Sequence, residues 1–363
     1  MKKIKHLNIK TMKKIKHLNI KTMKKIKHLI IAMLAVAVSV GFTACGDDDE
    51  AMIKDNMALY QETVNAEVKA NKKGDKALLI VAFGSTWQKA FDTFDKTVTA
   101  YKQAFPGYDV YISFSSAICR NRAATGEHKY ENTEIRNYYA PENYLRAFGK
   151  SRYKEIVVQS LQVIPGEEYT RVVNDIKDFC NDKYREMEPG YLASVDLYLG
   201  APLMATVDDV KDVAKAIDDN LGAVAATDIV ALMGHGNPDI YDTYSANIRY
   251  TQLEEELQKL NGNYFVGTVD MKDNFVDDVH ARMVARGITG GKVHCYPLMS
   301  IAGDHAHNDM VEDWGSYFTG KGYGNDYTLE GLLDYPNIRR IWMSHTQAAI
   351  DGEPLEYNKA GDE

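Results

Sequence analysis

Cysteine is scarce in this chain, with four in 363 residues. Beyond Cys45, only Cys119, Cys180 and Cys295 remain, widely spaced and odd in number, which excludes a disulfide framework and leaves buried free thiols as the expectation. Long apolar runs are also missing. The stretch Leu29–Phe42 falls short of the roughly 20 residues that cross a bilayer. No closely spaced metal motif such as HExxH occurs, so any metal site must be assembled from residues distant in sequence. Basic charge is confined to one end. The formal net charge is −8, but residues 1–45 hold eleven lysines and no acid, and the rest of the chain sets 32 basic residues against 51 acidic ones, close to −19. A surface of that sign repels phosphate backbones, which disfavours nucleic-acid partners.

What is present begins with a repeat. MKKIKHLNIKT occurs twice and starts a third time at Met23. The third copy carries Lys24, Lys25 and Lys27, then the apolar run, then small residues ahead of Cys45. It resembles a bacterial lipoprotein signal, so the expectation is cleavage before Cys45, a lipid on that residue and a membrane-tethered protein exported to the periplasmic or outer-membrane surface. The following segment, opening GDDDE, supplies no polybasic help to a single lipid anchor. The expected organisation is therefore a signal segment over 1–45, a tether and helix over 46–75, an α/β domain over 76–203 and a second α/β domain over 204–363.

From Lys76 onward, short β-rich apolar runs alternate with amphipathic stretches of helical length. ALLIVAFG, DVYISFS, EIVVQSLQVI and SVDLYLG alternate with helical patterns in the first half. DIVALMGHG, YFVGTV, KVHCYPLMSI and NIRRIWMSH do so in the second. This order predicts α/β halves with parallel sheets flanked by helices. LLIVAFGST and DIVALMGHGN look alike, each a buried strand ending in glycine before a polar helix start. The boundary is placed at 200–206, where Pro202 precedes a helix cap at Thr206.

Ligands of open α/β sheets sit beyond the carboxyl ends of the strands. Three polar residues stand there in the second half: His235 after IVALMG, Asp270 after YFVGTV, and His305 in MSIAGDHAHND. Two imidazoles and a carboxylate suit Co²⁺, Fe²⁺, Ni²⁺ or Zn²⁺ and leave coordination positions open. Bland alternatives exist for each: a capping histidine in a tight GHG loop, an N-cap aspartate, and a polar turn opening a helix. Asp304 and Asn308 are candidates for orienting His305. His294 reads as a satisfied core residue, His280 and His128 as surface residues. His345 ends the last apolar run and is undecided. Trp87, Tyr111, Tyr169 and Tyr317 read as core aromatics.

Five motifs, VAFGST (81–86), VVQSLQVIPGEEY (157–169), MGHGNP (233–238), VGTVD (266–270) and YPLMSIAGDHAHNDM (296–310), resemble those of the anaerobic sirohydrochlorin cobaltochelatases of CbiK type, in the same order. The resemblance implies a chelatase-like fold of two Rossmann-like domains with a ligand cleft between them. It also implies insertion of Co²⁺ into sirohydrochlorin with no nucleotide cofactor. His235 and His305 would be the metal-binding, catalytic histidines and Asp270 the metal-binding carboxylate. Three departures from the family pattern stand out: aspartate where the family has glutamate at 270, Gln162 where histidine is expected, and the additional imidazole of His307. Export raises two other readings, a non-catalytic lipoprotein that captures haem or another tetrapyrrole, and a divalent-metal carrier. Whether the protein forms a homo-oligomer is left open.

Overall fold

The computed structural model describes residues 60–126 and 134–356. The signal segment with Cys45, the GDDDE tether and His128 lie outside these residues. A helix, α1, occupies 60–71. The first sheet is built from β1 (Lys76–Ala82), β2 (Asp109–Phe114), β3 (Glu155–Ser160) and β4 (Asp196–Gly200), and the second from β5 (Ile229–Gly234), β6 (Tyr264–Thr268), β7 (Lys292–Pro297) and β8 (Gly324–Tyr327). Strand order is β2-β1-β3-β4 in one sheet and β6-β5-β7-β8 in the other. Every pairing is parallel.

The connections are helices: α2 (Gln88–Ala104), α3 (Ala117–Thr125), α4 (Pro141–Lys150), α5 (Glu167–Cys180) and the single turn α6 (Tyr191–Ser194) in the first half. The second half carries α7 (Val207–Ala225), α8 (Ile248–Leu260), α9 (Val276–Ala285), a π-helical segment at Ala306–Trp314 running into α10 (Gly315–Gly320), and α11 (Pro336–Ile350). Among the described residues no helix is long and apolar enough to cross a membrane.

The apolar strand runs reflect burial on both faces, as parallel sheets require. Alternate residues of β1 sort into two cores. Leu78, Ile80 and Ala82 join a central cluster with Val230 and Leu232 of β5, whereas Ala77, Leu79 and Val81 pack outward with Val64 and Val68 of α1. The second sheet does likewise, with Ala231, Met233, Val293 and Cys295 facing an outer cluster with Met310 and Trp314. One continuous core thus joins the two sheets. The free thiol Cys295 is buried, while Cys119 and Cys180 are half-buried.

α7 starts where the cap was expected. Thr206 Oγ1 accepts from the Asp209 amide at 3.1 Å, and the Thr206 amide donates to the Asp209 carboxylate at 2.7 Å, a capping box.

One element differs from expectation. NIRRIWMSH is not a strand but the body of α11, because Pro336 occupies the first helical turn, where its missing N–H costs nothing. The buried residues Ile338, Trp342 and Thr346 recur every four positions along one face. This helix packs back on the first sheet: Thr346 Oγ1 donates to Gln159 Oε1 of β3 at 2.7 Å and Trp342 Nε1 to the Gln162 carbonyl at 3.2 Å. His345 therefore lies within a helix, bonded to the Ala201 carbonyl and the Asp209 carboxylate, each at 3.3 Å.

Candidate functional site

The pairing register sets the ends of β5, β6 and β7 side by side, with Gly234 opposite Thr268 and Met233 opposite Pro297. His235 is the first residue beyond β5. Gly236 follows with φ +75°, in the left-handed region, and a Cβ there would lie 2.8 Å from the Met271 backbone nitrogen, so only glycine fits. The turn exposes the His235 carbonyl to the amide of Asp270, which donates to it at 2.8 Å. Asp270 is thereby fastened beside His235, and His235 Nε2 stands 3.6 Å from Asp270 Oδ2. Asp270 is not a helix cap, since α9 starts only at Val276.

His305 arrives from the loop after β7. Its ring lies 4.8 Å from that of His235, centroid to centroid, at 85°. All three side chains are partly exposed, at 48 % for His235, 44 % for Asp270 and 43 % for His305. Among the described residues, no three His, Cys, Asp or Glu side chains already stand arranged to hold a metal ion. Bringing this trio onto one ion would require rotation of half-exposed side chains.

The hydrogen bonds fix the tautomers. His235 Nδ1 lies 2.7 Å from the Gly236 carbonyl, and His305 Nδ1 lies 2.6 Å from Asp309 Oδ2. A carbonyl or ionised carboxylate can only accept, so Nδ1 carries the proton in each neutral ring and Nε2 keeps its lone pair. The Asp309 bond raises the pKa of His305 above its ordinary value. Partial burial opposes this, and the charges of Asp309, Asp270 and Asp304 add to it.

Strand-end loops of the first sheet face this group. Trp87 Nε1 donates to Asp304 Oδ1 at 2.7 Å, and the Trp87 indole stacks on His307 at 3.4 Å and 8°. The Glu167 amide, in the IPGEEY motif, donates to Asn237 Oδ1 of the GHGNP loop at 3.1 Å. A Cβ at Gly166 would lie 2.5 Å from the same oxygen, so a larger residue would displace the Asn237 side chain. Phe83, just past β1, is 42 % exposed. Trp87, expected as core, is buried and also serves as the contact between the two loops. Gln162 turns its amide inward. Its oxygen accepts from the Ser160 hydroxyl, and its buried Nε2 has no hydrogen-bond partner.

The remaining histidines fall elsewhere. His294 sits half-buried in β7 with Nε2 2.9 Å from Thr328 Oγ1, and burial holds its pKa below the ordinary value. His280 packs edge-on against Tyr317 and Tyr323. Of the two residues expected to orient His305, Asp304 instead binds Trp87. The carboxylate that reaches the imidazole is Asp309, which sequence reasoning missed although its four-residue spacing from His305 was available to find it.

Two parallel sheets of like strand order, with two imidazoles and a carboxylate gathered near the strand ends, define a chelatase-type α/β protein. The structure of SirB from Bacillus subtilis with Fe³⁺ matches with a TM-score of 0.52 at 15 % identity, covering 77 % of this chain and 99 % of that one, which shows the shared fold. The chain belongs to the cobalt chelatase (CbiK) family, whose model matches residues 76–351. It is 27 % identical over 284 residues to the sirohydrochlorin cobaltochelatase of Salmonella typhimurium, spanning 76 % of this chain and 97 % of that protein. It is 29 % identical over 286 residues to sirohydrochlorin cobaltochelatase CbiKC of Nitratidesulfovibrio vulgaris, spanning 76 % and 90 %.

Proposed function

We propose that this protein inserts Co²⁺ into a sirohydrochlorin-type tetrapyrrole without nucleotide hydrolysis, from a lipid-tethered position outside the cytoplasm. The observation that carries the reading is the meeting of His235, Asp270 and His305 at three adjacent strand ends, with both imidazoles held as Nδ1–H tautomers. The metal is a substrate here. Two neutral nitrogen donors and one carboxylate bind it while leaving positions open to the macrocycle. As the metal enters, two pyrrole protons leave, and an imidazole is a competent acceptor near neutral pH. The acidic surface outside residues 1–45 favours divalent cations as visitors. The tether reading rests on the Lys-rich segment and apolar run ahead of Cys45.

A second reading, capture of haem or another tetrapyrrole without turnover, rests on the shorter carboxylate at Asp270, where the family resemblance implies glutamate, and on the export signal ahead of Cys45. Absorbance titration of the purified protein with sirohydrochlorin and with haem, each with and without Co²⁺, separates the two. Catalytic conversion of sirohydrochlorin to its cobalt complex, at many turnovers per protein and without ATP, is expected. Stoichiometric binding with no acceleration over the protein-free mixture would contradict it.

A further inference from the structure

We infer that Asp309 is a positioning residue for metal capture, holding His305 in the one tautomer and orientation that offers Nε2 to the incoming ion. The inference rests on the metal-handling reading of His305 and names a residue that this reading does not itself require. Three observations carry it. The Asp309 Oδ2 to His305 Nδ1 distance is 2.6 Å, a short bond, as those to an ionised acceptor are. The two residues are four apart at the start of the π-helical segment Ala306–Trp314, a helical form frequent at functional sites. Finally, the His305 ring lies edge-to-face with that of His235, 4.8 Å away centroid to centroid, so the ring that Asp309 holds stands beside the second imidazole.

The consequence follows from the acceptor chemistry. An ionised carboxylate at Nδ1 demands the proton there, so Nε2 presents its lone pair, and the bond makes that nitrogen a stronger donor. His235 has only a backbone carbonyl, that of Gly236, at its own Nδ1. The two imidazoles are therefore unequal, and His305 is the better metal donor of the pair.

The test needs no tetrapyrrole. In the full chain, nitrogen-15 NMR of the imidazoles in alkaline buffer reads the His305 tautomer, and titration with Co²⁺ alone reads affinity. In the wild type, His305 should be protonated at Nδ1. Asp309→Ala should shift it toward the Nε2–H form and weaken Co²⁺ binding by about 10- to 100-fold. Asp309→Asn, nearly isosteric and still able to accept through its side-chain oxygen, should fall between the two and guards against a folding defect. An unchanged tautomer in Asp309→Ala, or unchanged Co²⁺ affinity, would overturn the inference. A wild type that binds Co²⁺ through His305 yet inserts none would sink the chelatase reading while leaving the role of Asp309 intact.

Discussion

Beyond β5 the chain reads His235, Gly236, Asn237; beyond β1, in the same position of an identical strand order, it reads Phe83, Gly84, Ser85. The contrast holds at the neighbouring strands. β6 is followed by Asp270, and β2 by Ser115 and Ser116. The polar groups of the first half are engaged locally: Ser85 Oγ accepts from the Trp87 amide at 3.2 Å and Ser116 Oγ from the Cys119 amide at 3.3 Å, the latter capping α3. Those of the second half stand partly exposed, with nitrogen lone pairs and a carboxylate to spare. The same architecture thus does two jobs. One sheet ends in two imidazoles and a carboxylate, and the other faces them through Trp87 and the Gly166 turn.

That division can be broken most decisively at the donors. His235→Ala or His305→Ala should reduce cobalt insertion to the uncatalysed rate, whereas Gln162→Ala, in the first half, should change kcat/KM by less than about tenfold. Steady-state assays of all three variants side by side would measure this, and a Gln162 variant as inactive as the histidine variants would dissolve the distinction between the halves.

Asp270→Glu should have a smaller effect of opposite sign. One added methylene extends the reach of the carboxylate toward an ion shared with His235 and His305, so Co²⁺ affinity should rise by up to about tenfold, or about 1.4 kcal/mol. Isothermal titration checks it, and a weaker site would mean that the backbone has already adjusted to aspartate.

The least effect on the site should come from the contact by which α11, though late in sequence, closes the first sheet. His345→Ala removes the bonds to Ala201 and Asp209 and should cost about 1 kcal/mol in urea unfolding, with Co²⁺ affinity unchanged. Asp209 adds a pH signature. Burial alone would raise its pKa, but hydrogen bonding to His345 and Thr206 outweighs this and holds it below the ordinary value. A lowered folded-state pKa stabilises the fold above the unfolded value, and that contribution is lost as pH falls through the folded value. The wild type should therefore lose the α11 contact in acid, and the His345 variant should show a weaker acid dependence.

Much of this arrangement was legible beforehand, for physical reasons. Runs such as LLIVA and IVALM are buried on both faces, so their length and composition declare parallel strands. The strand-end rule selected His235, Asp270 and His305 because the segments that follow parallel strands open onto the carboxyl edge of the sheet, where ligands sit. Alternation misled at NIRRIWMSH, where the expected continuation of strand after helix outweighed the four-residue spacing of Ile338, Trp342 and Thr346. β8 escaped notice because Gly324–Tyr327 is a short, polar edge strand with no buried residue. The Asp309 bond is not legible from Asp304 and Asn308, the partners the polar cluster suggests, because it is the helical turn that brings the fourth residue onward into reach.

X-ray absorption at the cobalt edge of the Co²⁺-loaded full chain addresses the central claim most directly. The account predicts a first shell of nitrogen and oxygen containing two imidazoles, reduced to one in His235→Ala and in His305→Ala. A shell without imidazole, or one that survives both substitutions unchanged, would contradict it.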